Sequence, residues 1–135
     1  MKYEDWERGV PIDIRTDPIW SLRVYRVALY VAELASHDAR RLVTNPVTEG
    51  IAGRLVASTV SIGAQIASGY SRMGKKDRVP SYEMALGAAR EARDWYLQSR
   101  IELGDNAVNA RIATLTAVAK VLVILIDRSR AVHVH

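Results

Sequence analysis

The sequence predicts an all-α protein, an antiparallel up-down-up-down four-helix bundle. Three observations carry that prediction. Four stretches repeat apolar residues at helical spacing. The breaks between them are short, which makes successive helices antiparallel neighbours. The central stretch, Arg54 to Arg100, holds two segments rich in small residues on either side of the basic break MGKKDR. Gly53, Ala57, Ser61, Ala64 and Ser68 in the first, and Ala85, Ala88, Ala89 and Ala92 in the second, would let two helix backbones approach closely. A tightly packed hairpin is expected there.

Residues 1–16 lack helical periodicity. Val10, Ile12 and Ile14 alternate with other residues, which suggests an extended arm, either a frayed terminus or a segment lying on its own bundle or on a neighbour. Asp17-Pro18 then reads as a helix start, Asp as cap and Pro in the first turn. The first helix is expected from Pro18 to about His37. It is apolar on two faces, with Ile19, Leu22, Tyr25, Leu29 and Ala32 on one and Trp20, Val24, Val27, Val31 and Leu34 on the other. Only the strip Arg23, Arg26, Tyr30, Glu33 and His37 reads as solvated. After the turn at Asn45-Pro46, Thr48 is a candidate cap for a second helix reaching Arg72, with Ile51, Leu55, Ile62, Ile66 and Tyr70 at core spacing. Internal Gly53, Gly63 and Gly69 each cost that helix about 1 kcal/mol against Ala, so close packing is expected to compensate.

The third helix is expected from Pro80 to Leu103, with Tyr82, Ala85, Ala89, Ala92, Tyr96 and Leu103 inward. Gly104 ends it, and Asp105 or Asn106 caps a fourth helix that runs to about Arg128 with Val108, Ile112, Leu115, Leu122 and Ile126 on one face. The division is then an N-terminal arm (1–16), a helical body (17–128) and a flexible tail (129–135). The apolar width of the first and fourth helices exceeds one bundle seam and implies self-association.

At 135 residues the chain makes one domain. With no cysteine it has no disulfide, thiolate metal site or cysteine nucleophile. The start, MKYEDWERG, is too charged for a secretory signal, and the apolar run Ala117–Ile126, broken by Lys120, is shorter than a bilayer span. A soluble cytoplasmic protein is expected. The net charge is +4, unevenly spread: −2 over residues 1–17, +1 over 18–49 and +5 over 50–135. Such a balance permits an anionic partner without demanding one.

Catalytic and cofactor chemistry find little here. A di-metal bundle site needs carboxylates on every helix, and the second helix has none between Gly50 and Arg72. Glu33 and His37 share a face but fit a solvated helix end, and His133 and His135 lie in the tail. No nucleophile elbow or phosphate loop occurs. Neither a metal nor another cofactor is expected, and no enzyme activity. Two readings stay open. Arg72, Lys75, Lys76 and Arg78 suggest a nucleic-acid-associated scaffold, or merely a solvated loop. The apolar excess suggests instead a structural or protein-interaction module. Tyr3 and Trp6 in the arm could stack on RNA bases, although packing suits them better.

In an antiparallel hairpin turning near residue 76, Glu91 falls opposite Ser61. A carboxylate among alanines needs hydrogen-bonding partners, so Glu91 is expected to accept from Ser61, Ser58 or Gln65 and fix the register.

Ser61-Ile62, Ile66-Ala67, Gly69 and Arg72 on the second helix, with Ala85, Gly87, Ala88, Ala89 and Glu91 on the third, stand in register with a known pattern. There the sequence resembles the four helix bundle protein family, also named the 23S rRNA intervening-sequence protein family. Gln65 and Ser68 replace the family's usual Asn and Glu. The resemblance covers residues 18–130. It implies a ring-like homo-oligomer, a pentamer, with no established biochemical activity. Some members are encoded within insertions in 23S rRNA genes. A related bundle is an accessory subunit of reverse transcriptases and binds nucleic acid; this chain lacks that group's Gly-rich, Trp-containing ending.

Overall fold

The computed structural model describes residues 1–131, all-helical with no strand among them. The elements are α1 (Tyr3–Gly9), α2 (Ile12–Arg15), α3 (Arg23–Leu42), α4 (Glu49–Tyr70), α5 (Val79–Leu97), α6 (Arg100–Leu103) and α7 (Asp105–Arg130), with 3-10 turns at Pro18–Ser21 and Lys75–Arg78.

The arm is not extended. Pro11 splits the alternating stretch, and Ile12–Arg15 closes a single turn with Ile12 and Ile14 exposed. Tyr3 and Trp6, close in sequence on α1, pack on Tyr30 with ring centroids 5.3 and 5.5 Å away. Trp6 stacks on Trp20 at 6.2 Å, and Trp20 meets Tyr25 edge-on. The Tyr30 hydroxyl donates to the Met1 carbonyl. Mutual packing of five half-buried aromatic rings outweighs the local period-two pattern, because each such contact adds about 0.5–1.5 kcal/mol beyond area burial. The same packing covers Tyr30, and Arg26 turns to donate to the Trp20 carbonyl, so the strip read as solvated is partly roofed.

Asp17 does cap, its Oδ1 accepting from the Ile19 amide at 3.0 Å, but it opens only the 3-10 turn. Leu22 is extended, with φ −79° and ψ 105°, so α3 starts at Arg23 and runs past His37 to Leu42. Thr48 does not cap α4 through its side chain. Its hydroxyl donates to the Leu42 carbonyl at 2.7 Å and ties off the end of α3.

Successive long helices run antiparallel. Arg54 lies over the Trp95 ring and Gly69 meets Tyr82, which sets α4 against α5. Arg93 donates to Thr116 and Arg130 pairs with Glu83, which sets α5 against α7. The core joins Ala28, Val31, Ala35 and Leu42 of α3 to Leu55, Ile62 and Ile66 of α4, Ala85, Ala89 and Tyr96 of α5, and Leu115 and Leu122 of α7.

The glycines divide. A Cβ on Gly69 would sit 2.8 Å from the Tyr82 ring and 3.2 Å from the Arg78 carbonyl, and one on Gly63 2.9 Å from Leu29. Gly53 has nothing near it, so packing does not compensate its cost. The stripe Gly53, Ala57, Ala64 and Ser68 faces solvent, while the packed stripe runs through Ala52, Thr59, Gly63 and Gly69. At 100° per residue, adjacent positions separate core from surface.

Glu91 falls on the exposed side of α5. Its Oε1 accepts from Trp95 Nε1 one turn on, at 3.2 Å, and Ser61 is only half-buried. The expected Glu91–Ser61 register lock is therefore absent. Ser58 donates instead to the Leu55 carbonyl of its own helix.

The third helix stops at Leu97, where buried Ser99 donates to the Trp95 carbonyl and the chain breaks before α6. Gly104 then takes φ 86° and ψ 152°, a conformation open essentially to glycine alone. Asp105 lies within the first turn of α7 rather than capping it. At the other end α7 continues through buried Ser129 to Arg130, so these two residues belong to the helical body rather than to a tail. His133 and His135 lie outside the described residues. By length and mean hydropathy (1.7 over 18 residues) α7 as a whole suits a bilayer span, a stronger signal than the interrupted run Ala117–Ile126. Leu115, Val118, Leu122 and Ile126 are seated in the core, yet only 28% of that window is buried.

Candidate nucleic-acid interface

The basic break forms the connection between α4 and α5. Helix α4 ends as the amides of Ser71 and Arg72 bond the carbonyls of Ala67 and Gly69. Gly74 precedes the 3-10 turn, its carbonyl accepting from the Asp77 amide at 3.1 Å. Pro80 in the first turn of α5 fixes the exit, its missing N–H being one that a helix start leaves unpaired anyway. Arg78 closes the loop from within. Its Nε donates to the Arg72 carbonyl at 3.2 Å, and its guanidinium lies 5.5 Å from the Tyr70 ring centroid.

The four sequence-predicted cations share this end of the molecule but not one site. Arg72 and Lys76 border an open depression of about 570 Å³ that also holds Asp77 and Ser81. Lys75 and Arg78 border a smaller one of about 160 Å³, on the side of Tyr82 and Leu125. Arg72, Lys75 and Lys76 are exposed, and Arg78 is half-buried. Arg128 joins the smaller depression. The antiparallel order could have pointed to it, since the end of α7 must return to the α4–α5 turn. Among the described residues none of these five cations forms an ion pair, and Asp77 is the carboxylate that lies among them. Burial pushes the Tyr82 hydroxyl above its usual pKa, while nearby Arg78 pulls the other way.

The arrangement can attract phosphate through mobile side chains. It presents no nucleophile beside a base, and among the described residues no cluster of three His, Cys, Asp or Glu could hold a metal. Glu33 and His37 are both exposed.

A second polar cluster, which sequence reasoning missed, lies toward the other end. Asp38 Oδ2 accepts from the Tyr96 hydroxyl at 2.6 Å and from Arg111 Nε at 2.9 Å, joining α3, α5 and α7. The side chains of Asp38 and Arg111 are 13% and 23% exposed. Burial, reinforced by the hydrogen bond to Asp38, raises the Tyr96 pKa far above its usual value. Burial would lower that of Arg111, but the hydrogen bond and charge of Asp38 outweigh it and hold the guanidinium charged. The cluster is sealed by its own partners and offers no open coordination to a ligand.

No protein-family model matches the chain, and no curated protein matches it. Among solved structures, the chain is similar to a protein of unknown function from the S23 ribosomal protein family of Bacteroides thetaiotaomicron. The likeness has a TM-score of 0.69 at 20% identity and covers 76% of this chain and 97% of the other. At that identity it shows a shared all-helical fold.

Proposed function

We propose that the chain is a non-enzymatic, cytoplasmic, self-associating up-down-up-down four-helix bundle whose α4–α5 end binds nucleic acid through its phosphates. The observation that carries the binding proposal is the exposure of Arg72, Lys75 and Lys76 without an ionic partner among the described residues, with Arg128 brought in beside them. Self-association is supported by the uncovered outer face of α7, where Val121, Val123 and Ile124 are exposed. The family resemblance suggests a ring of five. In a ring the weak attraction of one loop is repeated in every subunit, and linked sites bind far better than one alone. The family name of the structural neighbour makes RNA the polyanion to test first.

Phosphate neutralisation releases counterions, so binding should fall with salt and show little sequence preference. Replacing Arg72, Lys75 and Lys76 by Ala should weaken RNA binding. On single strands it should also reduce the salt slope by about 0.7 for each phosphate no longer neutralised. Wild-type protein that ignores RNA and DNA at low salt would overturn this reading. The second reading, a structural or protein-interaction module such as an accessory subunit of a reverse transcriptase, would then take its place. It draws on the division of the cations between two depressions.

A further inference from the structure

Helices α3 and α7 meet less closely than the other long neighbours, and a groove of about 290 Å³ lies between them. Its walls are Val24 and Val27 of α3 and Val121 and Leu125 of α7, with Arg23 and Arg128 at the end where α3 begins and α7 finishes. No residue of the first 21 lines it. The arm meanwhile leaves aliphatic side chains uncovered: Ile12 is 59% exposed on the turn Ile12–Arg15, beside the exposed carboxylate of Asp13. An apolar groove edged by arginines and an isoleucine edged by an aspartate complement each other in shape and charge. The wider balance agrees, with −2 over residues 1–17 against +5 over 50–135.

We infer that the occupant of the α3–α7 groove is the α2 turn of a second copy of this chain. Ile12 enters between Val27 and Val121, and Asp13 meets Arg23 or Arg128. This rests on the self-association proposed above and names its contact surfaces. The two surfaces differ, so the contact is head-to-tail, the type that closes into rings when the rotation allows. One turn buries too little area for a stable interface, so the exposed Ile124, one turn on from Val121 along α7, joins the contact.

The absence of cysteine makes the test direct. Two full-length single variants, Ile12→Cys and Val121→Cys, are mixed under oxidising conditions and resolved without reductant. A disulfide needs Cα atoms within about 7 Å, so a covalent dimer should form in the mixture, several-fold above either variant alone and above Ile12→Cys mixed with Val60→Cys. A separate Ile12→Asp variant should lower the mass seen by light scattering while the helical circular dichroism is unchanged. If wild type is an oligomer yet no mixed dimer forms, or Ile12→Cys pairs equally well with itself, the arm-to-groove contact is wrong and self-association stands. If wild type is a monomer, both fall.

Discussion

The two ends of the helical body use charge in opposite ways. At the end built from residues 43–48 and 98–104, polar groups are committed to one another. Arg41 donates to the Glu102 carbonyl at 2.8 Å, Asn45 to the Glu102 carboxylate, and Thr48 to the Leu42 carbonyl. One layer inward, Asp38 holds Tyr96 and Arg111. Apolar side chains are left uncovered there, with Val43, Val47 and Ile101 exposed. At the α4–α5 end only Arg78 is tied to its own loop, and Arg72, Lys75 and Lys76 stay solvated. Charge that is paired and buried makes a fold rigid. Charge left in water contributes little to stability and remains available to a partner.

The sharpest way to break that contrast is Asp38→Ala. It strands a largely buried guanidinium, which typically costs about 3–5 kcal/mol, or roughly 10–20 °C in Tm at this size. A loss under about 1 kcal/mol by denaturant titration would show that the cross-tied end is not stiffened by this ion pair.

Tyr96→Phe separates the hydrogen bond from the ion pair. At neutral pH it should cost about 1.5–3 kcal/mol, the worth of a hydrogen bond to a charged group. It should also change the alkaline limb. The folded protein holds the Tyr96 proton well above the unfolded value of 10.0. Stability from this group is thus complete below pH 10 and falls as pH rises beyond it, by about 1.4 kcal/mol per pH unit. The Phe variant should lose that slope. An unchanged alkaline limb in urea titrations between pH 9 and 11 would remove Tyr96 as its source.

The basic end is sharpened by paired glycine variants. Gly69→Ala drives a methyl into the Tyr82 ring and the Arg78 carbonyl, and should cost about 1–3 kcal/mol as overpacking does. Gly53→Ala meets nothing and should stabilise by about 0.4–1 kcal/mol. Equal effects on Tm would mean the two helices are not in close contact at Gly69. The smallest effect belongs to the loop itself. Replacing Arg72, Lys75 and Lys76 by Ala should move stability by no more than about 0.5 kcal/mol, and a larger loss in the melt would show that these cations are structural.

What is legible in the sequence follows the range of each interaction. Apolar periodicity is local, so the four long helices and the hairpin at Met73–Arg78 can be read directly. The positive φ at Gly104 also announces itself, as glycine after a run of helix. The Asp38 cluster does not, because its partners lie 58 and 73 residues away and each looks like an ordinary surface charge or aromatic. The arm escapes a local reading because its conformation is set by rings from α3 and the Pro18 turn. Small residues do pack on α4, but composition does not fix rotation. Gly53 and Ala52 differ by one position, 100° around the helix, and that is enough to expose the one and bury the other. The expectation for Glu91 fails for the same reason. Of the candidate interface, the identity of the loop cations is legible; their separation into two depressions, and the arrival of Arg128, depend on the tertiary fold.

The aromatic cluster under the arm gives the protein a built-in optical reporter. Two of its three tryptophans, Trp6 and Trp20, stack at 6.2 Å with ring planes 27° apart, while the third, Trp95, stands apart beneath Arg54 on α5. In a Trp95→Phe background every indole signal comes from the junction between arm and body. Detachment of the arm then becomes visible as a change in near-ultraviolet dichroism and emission wavelength while far-ultraviolet helicity stays intact, so its movement can be timed without attaching a dye.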